Sequence, residues 1–330
     1  MPLPEKALIA QIRRMAKPAP YAGKRTIPGR PGILTGIGDD CAILRIRPGS
    51  DSLVTTDFSI EGIHFRRDWH PPDSVGHRCL ARGLSDIAAM GGRPDAAFLS
   101  LALPRNLPQS WVERFLRGLL ALAEVHGVTL AGGDTAESPS GVLADIIVVG
   151  SLRKGTALLR SGARPGDRIF VTGELGGSAA AVERMQSKPK KKLNPQDYQR
   201  HFYPEPRIEL GRTLREKGLA TAMIDTSDGL STDLAHICEE SHVGAELDAE
   251  LIPRARVCNP AREVDLDLAL HGGEDYELLF TAAPGKRIPA KIAGVAVTQI
   301  GVITSRRKML LRSESIAREI KPRGWEHFRK

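Results

Sequence analysis

Aspartates beside glycine, serine and threonine recur in five short segments of this 330-residue sequence. They are Asp39 and Asp40 in GIGDDCA, Asp57 in TTDFSIEGIHF, Asp86 in LSDIAAMGG, Asp134 in AGGDT, and Asp225 and Asp228 in IDTSDGLSTDL. Carboxylates that converge without basic partners repel one another unless cations offset the repulsion. Mg²⁺ binds carboxylate, hydroxyl and water oxygens and shares its coordination with substrate phosphates. Because backbone amides near glycine also bind phosphate oxygens, the set predicts a phosphate-and-magnesium site built from several loops.

Each motif alone also has an ordinary structural explanation. The Gly-Gly-Asp triplet is typical of a turn, Asp39–Asp40 suits a solvated turn, and TSDG at Thr226–Gly229 is typical of a helix cap. One cap residue would start that helix, however, whereas two carboxylates bracket Thr226 and Ser227. The sequence contains no G-x-x-x-x-G-K-[ST] segment, which excludes a Walker-type site, and GELGGS lacks the dinucleotide-binding spacing.

Alternating strands and helices are predicted to carry these segments. Helical patterns cover residues 73–90, 108–126, 206–217 and 230–241. Strands are predicted at CAILRI, SLVTTDF, DAAFLSLALP, VLADIIVVGSL, RIFVT, TAMI and GAELD, and VTLAGGD is predicted to be a strand that ends in a turn. The segment QSKPKKKLNPQDY is predicted to be an exposed, mobile loop. The alternation indicates α/β or α+β layers, and the length suggests two domains with a boundary near residues 152–165.

Composition limits the functional classes. The chain is 41% hydrophobic and 26% charged, which is typical of soluble globular proteins. It has no apolar run long enough to span a membrane, and its N-terminus predicts an amphipathic helix rather than a secretory signal. Four widely spaced cysteines without a C-x-x-C pair argue against a zinc site or a disulfide framework and indicate reduced thiols.

The net charge of +8 raises the question of nucleic-acid binding. Residues 305–330 hold nine Lys or Arg residues against three Glu, and a second basic cluster lies at Lys188–Lys192. Aromatic residues make up only 5% of the chain, and none interrupts that cluster, so stacking platforms for bases are not indicated. The basic segments fit a solvated surface or a field that gathers anionic small substrates.

An ordered set of motifs resembles one enzyme family. GIGDDCA, TTDFSIEGIHF, LARGLSDIAAMGGRP, LAGGDT, LLRSGARPGD, IDTSDGLSTDL, GGEDYELLFT and GWEHF follow one another over nearly the whole chain. In this combination they resemble the thiamine-monophosphate kinases of the aminoimidazole ribonucleotide synthetase-like superfamily. The resemblance implies ATP- and Mg²⁺-dependent phosphorylation of thiamine monophosphate to thiamine diphosphate by direct phosphoryl transfer. The acceptor is then a phosphate monoester with a second pKa of about 6, so catalysis needs positioning and charge neutralisation rather than a general base.

The resemblance also implies roles for individual residues. The implied metal ligands are Asp40, Thr55, Thr56, Asp57, Asp86, Asp134, Asp225 and Asp228. The implied ATP contacts are Gly133, Asp134, Arg160 and Ser227, and the implied substrate contacts are His64, Glu274 and Trp325. Asp225, Asp228 and Arg160 are the implied catalytic residues.

Plainer roles remain open for several of these side chains. His64 fits a core or surface histidine, Glu274 a turn, and Arg160 a surface ion pair. Trp325 either docks the C-terminal segment or offers a stacking face to a cationic thiazolium or a pyrimidine. Phe58 stands where family members often carry a smaller or polar residue.

The implied fold is α/β (α+β) with the two-domain PurM-like architecture. Residues 1–152 would form an N-terminal α/β domain that binds ATP and Mg²⁺ and dimerises through its sheet. Residues 153–330 would form a C-terminal α/β domain that completes the active-site cleft. The expected protein is a cytoplasmic homodimer whose partners are thiamine monophosphate and ATP, with no nucleic acid and no membrane.

Other functions compete with this one. Selenophosphate synthetase, aminoimidazole ribonucleotide synthetase and the carbamoyl-dehydrating hydrogenase maturation protein share the implied fold. A selenophosphate synthetase would carry a reactive cysteine near its N-terminus, and this sequence has none before Cys41. A basic nucleic-acid-binding protein would show steeply salt-dependent binding without ATP turnover, and an inactive nucleotide-binding module is the third alternative.

Overall fold

The computed structural model describes residues 2–16, 32–35, 37, 41–187, 193–258, 260–314 and 316–325. Contacts between Cα atoms divide the chain into two compact units. Unit 1 comprises Met1–Ile87 and Gly92–Gly155, and unit 2 comprises Ala88–Gly91 and Thr156–Lys330. The expected metal ligand Asp40, its neighbour Asp39 and the basic cluster Lys188–Lys192 lie outside the described residues.

Three helices and six strands are described up to Arg153. They are α1 (Glu5–Met15), β1 (Gly32–Thr35), β2 (Ile43–Arg45), β3 (Ser50–Ile60), α2 (Pro72–Ala89), β4 (Arg93–Pro104), α3 (Gln109–His126), β5 (Thr129–Ser138) and β6 (Leu143–Arg153). In α3 the buried residues Trp111, Phe115 and Leu119 recur with helical spacing. The helix ends where Gly127 adopts φ 65°, a left-handed conformation that glycine reaches without strain.

Strands β3, β6, β4 and β5 form the sheet of unit 1 in that order. All neighbours are antiparallel except β4 and β5, which run parallel. Helix α2 covers one face, since a Cβ on Gly83 would lie 2.6 Å from Val148 Cγ2 and 3.6 Å from Thr55 Cγ2. Side chains alternate along β3, so Thr55 and Asp57 share that covered face and Thr56 points to the other.

The predicted turn at Gly132–Asp134 is wrong. These residues continue β5, where Gly133 pairs with Leu99 of β4. A Cβ on Gly133 would lie 1.8 Å from the Leu99 carbonyl oxygen, and its φ of 145° also disfavours other residues. The glycines therefore allow close approach of two parallel strands rather than reversal of the chain.

Unit 2 contains five further helices and ten further strands among the described residues. They are β7 (Arg168–Thr172), α4 (Gly177–Gln186), α5 (Gln199–Phe202), α6 (Ile208–Glu216), β8 (Ala222–Asp225), α7 (Leu230–Ser241), β9 (Gly244–Asp248), β10 (Arg256–Val257), β11 (Arg262–Glu263), α8 (Leu266–His271), β12 (Leu278–Ala282), β13 (Lys291–Ile292), β14 (Val295–Thr304), β15 (Met309–Ser313) and β16 (Ile316–Glu319). Short 3₁₀ helices cover Pro195–Tyr198 and Ala249–Leu251.

The eight-stranded sheet of unit 2 is mixed. Its order is β16-β15-β9-β14-β7-β12-β8, and β13 pairs with β14. Only β9 and β15 run parallel, so the predicted α/β (α+β) class is confirmed. Apolar residues of β7, β8, β12 and α7 fill one core cluster that includes Ile224, Leu234 and Leu279. This core fixes the start of α7 against the end of β8.

The predicted exposed loop at QSKPKKKLNPQDY is wrong for its last residues. Pro195–Tyr198 forms a 3₁₀ helix whose first turn is capped by Asn194. Tyr198 is only 6% exposed, so its ring gives this segment an apolar anchor that the low apolar content concealed. Among the described residues, no helix is both long and apolar enough to cross a membrane.

Candidate active site

Asp57 is the most unusual carboxylate of unit 1. It lies on the face of β3 that α2 covers, and its Oδ2 atom is buried without a hydrogen-bond partner among the described residues. Burial and the neighbouring Asp86 raise the pKa of Asp57 to about 7. A buried carboxylate oxygen without a partner is costly unless another ligand satisfies it.

Two threonine hydroxyls hold the carboxylates that neighbour Asp57. Thr55 Oγ1 donates to Asp86 Oδ2, and Thr56 Oγ1 donates to Asp145 Oδ1 at 2.7 Å. Asp145 was not predicted as a site residue, yet it also raises the pKa of Asp57. The sequence feature that could have identified Asp145 is that it is the one charged residue in the apolar run VLADIIVVG.

These oxygen donors fit Mg²⁺, the ion that the sequence motifs imply. Carboxylates and hydroxyls are hard ligands, and the unpartnered Asp57 Oδ2 is the atom that a cation would satisfy. Within the described ranges, no three His, Cys, Asp or Glu side chains are grouped closely enough to hold an ion by themselves. Water and substrate phosphate must therefore complete the coordination of an ion bound here.

Asp134 is not brought to Asp57. Strands β3 and β5 are the opposite edges of the four-stranded sheet, which places them roughly 14 Å apart at the usual interstrand spacing. Gly133 and Asp134 instead line a groove of about 610 Å³ in unit 1, together with the apolar side chains of Ile12, Phe98 and Ile147. That volume falls within the range of small-ligand pockets.

His64 belongs to the turn that follows β3. Its Nδ1 atom accepts the Ile60 amide at 3.0 Å, and its carbonyl accepts an Arg78 guanidinium N–H at 3.4 Å. The imidazole is partly buried. One ring nitrogen thus holds the backbone of the turn, and this contact fixes the orientation of the ring.

In unit 2, backbone hydrogen bonds join the motif IDTSDG to the motif GGEDYE. The Thr226 amide donates to the Glu277 carbonyl at 2.8 Å, and the Tyr276 amide donates to the Thr226 carbonyl at 2.9 Å. The Glu274 amide donates to the Ser227 carbonyl at 2.8 Å. Glu274 adopts φ 64° to make this contact. Two segments about fifty residues apart in sequence therefore form one unit of backbone structure.

The carbonyl next to that of Ser227 holds a third segment. The Trp325 amide donates to the Asp228 carbonyl at 3.1 Å, while the Trp325 side chain is 53% exposed. Adjacent carbonyls of one turn thus carry the two expected substrate contacts, Glu274 and Trp325. The structure brings Ser227, Asp228, Glu274 and Trp325 together through these backbone bonds.

A further acidic residue, Asp233, was missed by the sequence reasoning. It is only 1% exposed, and its Oδ2 atom accepts the Gly229 amide at 3.0 Å. Burial, followed by the charges of Asp225 and Asp228, raises the pKa of Asp233 well above its usual value. The carboxylates of Asp225, Asp228 and Asp233 therefore interact where α7 begins. The sequence feature that could have identified Asp233 is its spacing from Gly229.

The helix-cap explanation of TSDG is not supported. The N-cap residue of α7 is Gly229, and no side chain caps the helix in the usual way. Asp233 instead reaches back from the first turn to the Gly229 amide.

Arg160 lies beside β8. The Leu159 carbonyl accepts the Met223 amide at 2.9 Å, and the Arg160 carbonyl accepts the Ser241 hydroxyl at 3.1 Å. Backbone contacts fix the segment, and the Arg160 side chain is exposed. The guanidinium therefore extends into solvent near the strand that ends at Asp225.

The glycines of GELGGS do not form an open phosphate site. Asp275, which is 7% exposed, accepts the Gly176 amide at 2.6 Å and the Ser178 amide at 3.2 Å. The protein's own carboxylate therefore occupies the first amides of α4. Burial raises the pKa of Asp275 to about 7, although both amides oppose that shift.

Behind this loop, Glu277 is wholly buried in a network of basic residues. Arg207 donates two bonds to its carboxylate, from Nε at 2.7 Å and Nη2 at 2.5 Å. Arg200 donates a third at 3.1 Å and Thr172 a fourth at 2.6 Å. This network supports the segment that contacts the IDTSDG turn.

Comparison with known proteins places the chain in a defined class. It matches the AIR synthase related proteins, with their N-terminal domain over residues 38–152 and their C-terminal domain over residues 164–312. The fold is therefore the two-domain PurM-like fold of that class. Hydrogenase maturation protein HypE in complex with ATP aligns with a TM-score of 0.74 at 17% identity, over 96% of this chain and 94% of that one, which reflects the shared fold alone.

More similar relatives define the family within this class. Thiamine-monophosphate kinase of Bacillus subtilis (strain 168) is 34% identical over 89% of this chain and 93% of its own length. The enzyme of that name from Salmonella typhimurium is 41% identical over 82% of each chain. The crystal structure of thiamine-monophosphate kinase from Stenotrophomonas maltophilia K279a aligns with a TM-score of 0.79 at 36% identity, over 96% of this chain and 99% of that one. The chain belongs to the thiamine-monophosphate kinase family.

A ligand complex also aligns with the chain. AaThiL complexed with AMPPCP and TMP has a TM-score of 0.75 at 32% identity, over 86% of this chain and 89% of that one. That relative thus binds an ATP analogue together with TMP. Membership of this family confirms the resemblance on which the residue roles were based, while the roles themselves stay predictions.

Proposed function

We propose that this protein phosphorylates thiamine monophosphate to thiamine diphosphate with ATP and Mg²⁺, by direct phosphoryl transfer. The observation that carries the proposal is the turn after β8, whose two adjacent carbonyls hold Glu274 and Trp325 beside Asp228. A kinase with a phosphate acceptor must hold two polyanions together, and an acidic turn joined to substrate contacts is suited to that task. The relatives named thiamine-monophosphate kinase support the choice of substrate.

Unit 2 supplies the groups at the transferred phosphate. Asp225 and Asp228 hold Mg²⁺, and Ser227 between them contacts nucleotide phosphate. Arg160, which is exposed beside β8, neutralises phosphate charge without needing to move a proton. Glu274 and Trp325 orient thiamine monophosphate, the latter by stacking on a cationic or aromatic ring.

Unit 1 supplies further metal ligands and part of the nucleotide contact. Asp57, Asp86 and Thr55 hold Mg²⁺ on the covered face of the sheet. Thr56, Asp40 and Asp134 are the further metal ligands that the family resemblance implies. Gly133 and Asp134 contact ATP from the groove that they line, and His64 contacts thiamine monophosphate. Bound Mg²⁺ supplies charge neutralisation on the phosphates.

We also infer a cytoplasmic homodimer. On the face of the unit 1 sheet that α2 does not cover, β3 exposes Val54 at 68% and Phe58 at 55% of their surfaces. Apolar side chains exposed along a sheet edge are typical of an interface, and a second copy of this sheet is the partner that the family resemblance implies. All four cysteines are free thiols, which suits a reducing compartment.

An assay of coupled ADP release with thiamine monophosphate, ATP and Mg²⁺ tests this function. Thiamine and aminoimidazole ribonucleotide precursors serve as control acceptors, and chromatography must identify thiamine diphosphate as the product. We expect turnover with thiamine monophosphate alone and its loss in EDTA. ADP release without thiamine diphosphate would refute the proposal.

A further inference from the structure

We propose that Arg323 and Gly324 are positioning residues that hold Trp325 against the turn carrying Asp228. We call the segment Arg323–Trp325 the C-terminal clamp. The inference rests on the proposed function in one respect, that Trp325 contacts thiamine monophosphate. The existence of the clamp itself depends only on contacts within unit 2.

Consecutive backbone amides attach the clamp to the start of α7. The Gly324 amide donates to Thr232 Oγ1 at 3.0 Å, and the Trp325 amide donates to the Asp228 carbonyl at 3.1 Å. Backbone donors fix the path of the chain more firmly than a flexible side chain does. The Trp325 ring is thereby held near Asp228 while 53% of its surface stays exposed.

The Arg323 side chain secures the other end of the clamp. Its Nε atom donates to His271 Nε2 at 3.2 Å, and its Nη2 atom donates to Asp267 Oδ1 at 2.6 Å. His271 Nδ1 lies 2.7 Å from Ser231 Oγ, and Ser231 Oγ in turn accepts the Arg323 amide at 3.4 Å.

The protonation state of His271 agrees with this arrangement. Burial and the charge of Arg323 lower the pKa of His271. Because Arg323 Nε donates to Nε2, the neutral imidazole carries its proton on Nδ1, toward Ser231. Arg323 and α7 are thus connected through one uncharged ring.

Gly324 is the point at which the clamp touches the turn most closely. A Cβ at this position would lie 2.0 Å from the Asp228 carbonyl oxygen and 2.6 Å from Thr232 Oγ1. The first is a backbone atom that cannot move without moving the turn. Any side chain here must therefore displace the clamp, and Trp325 with it.

The clamp determines where the Trp325 ring lies relative to Glu274 and to the carboxylates of the turn. The Ser227 carbonyl holds Glu274, and the neighbouring Asp228 carbonyl holds Trp325. Loss of the clamp would release the Trp325 ring but leave Glu274 and the carboxylates of the turn in place. We therefore expect a change in thiamine monophosphate binding that is separate from ATP binding.

The test compares Gly324→Ala with Gly285→Ala. A Cβ on Gly285 meets nothing within 4 Å, so this variant controls for the added methyl group. Hydrogen-exchange mass spectrometry follows the amides of residues 323–325, and steady-state kinetics follows both substrates. In Gly324→Ala we expect exchange and the KM for thiamine monophosphate each to rise by about tenfold, the effect of one lost hydrogen bond at the upper end of its range. The KM for ATP should stay within about twofold, and Gly285→Ala should match the wild type.

Each outcome decides the proposal. Unchanged exchange in Gly324→Ala overturns the clamp, and faster exchange with an unchanged KM for thiamine monophosphate overturns its positioning role. Equal rises in both KM values also overturn that role. Should Gly324→Ala fail to fold, Arg323→Gln replaces it, with Lys321→Gln as the charge-matched control. If the wild type forms no thiamine diphosphate, the proposed function fails separately, and the exchange rates alone decide the clamp.

Discussion

In unit 1 the acidic residues Asp57 and Asp86 lie within regular elements, whereas in unit 2 Asp228 lies in the turn between β8 and α7. Asp57 lies within β3 and Asp86 within α2, so strand register and helix packing place their carboxylates. Asp228 lies in a turn whose carbonyls accept amides from two distant segments. The first arrangement is fixed by the core, and the second by a backbone network of unit 2.

The two arrangements also treat charge differently. Within the described part of the chain, Asp57 Oδ2 is buried with no hydrogen-bond partner, so the covered face of the unit 1 sheet holds an unsatisfied acceptor. In unit 2 the buried acid Asp233 accepts the Gly229 amide, and Glu277 is satisfied by arginines. In unit 1 the cost of burying a carboxylate is therefore not offset at Asp57. In unit 2, internal hydrogen-bond donors offset part of the cost of burying Asp233 and Glu277.

The largest predicted effect is a loss of turnover when one carboxylate of either unit is neutralised. We predict that Asp57→Asn and Asp228→Asn each lower kcat by at least about a hundredfold, because each would remove a proposed ligand of a bound cation. Asp57→Asn should not lower the melting temperature, since the amide has no charge to be penalised by burial or by Asp86. Asp228→Asn should keep the bond from the Trp325 amide, since that bond is made by the Asp228 backbone carbonyl. Near-normal turnover in both variants would contradict the metal assignment.

The second prediction concerns the buried network of unit 2. Arg207→Met should lower the free energy of unfolding by about 3–5 kcal/mol, because it removes two hydrogen bonds from the wholly buried Glu277. Arg200→Met is the matched control. The Arg200 side chain is 37% exposed, so its loss should cost only about 1 kcal/mol. Urea unfolding measures both, and equal costs would show that Glu277 does not depend chiefly on Arg207.

The sequence predicted regular elements well where one period dominates. The helix predicted at 230–241 is α7, and the strands GAELD and RIFVT are β9 and β7. The turn predicted at Gly132–Asp134 failed because glycine is a turn signal in a single sequence. Gly133 instead allows close approach to Leu99. That role depends on a neighbouring strand, which local sequence propensity cannot reveal.

The candidate site was predictable to the extent that motifs mark it. The motifs that contain Ser227, Asp228, Glu274 and Trp325 could be recognised in the sequence. The contacts between these segments were not predicted, because no local pattern pairs residues that lie so far apart in the chain. Asp145 was missed because it is a single acid in an apolar strand, and Asp233 because acids are common in an amphipathic helix such as α7. The importance of each arises only from its three-dimensional neighbours. Glu277 was missed for the same reason, since its arginine partners lie seventy or more residues away.

The third prediction tests how tightly strand pairing fixes unit 1. Gly133→Ala should lower the stability of the protein by up to about 3 kcal/mol, because the new Cβ would overlap the Leu99 carbonyl. Gly32→Ala provides a matched control, since Gly32 has a similar φ of 140° but no atom of the described residues lies within 4 Å of its Cβ position. The difference between the two variants isolates the strand contact from backbone strain. Thermal melts of both variants measure it, and equal losses would mean that the close approach of β4 and β5 is readily relaxed.

The smallest predicted effect concerns Asp275 and tests whether internal donors fully offset burial in unit 2. Burial raises the pKa of this carboxyl to about 7, well above its ordinary value. The folded state therefore binds its proton more tightly than the unfolded chain. The stabilisation from that proton is complete below the unfolded pKa and is lost as the pH rises through the folded one. Between pH 5 and 7, the wild type should lose about 2 kcal/mol of stability relative to Asp275→Asn.

The comparison with Asp275→Asn must rest on the pH slope rather than on absolute stability. The amide oxygen can accept only from one side, so the variant weakens one of the bonds from Gly176 and Ser178 at every pH. That loss is constant and cancels when the difference between the two proteins is plotted against pH. Other titrating groups, including the histidines, cancel in the same way. If the stability difference between the two proteins does not change between pH 5 and 7, the two amides keep Asp275 ionised. Hydrogen bonds within unit 2 would then fully offset the cost of burying this charge.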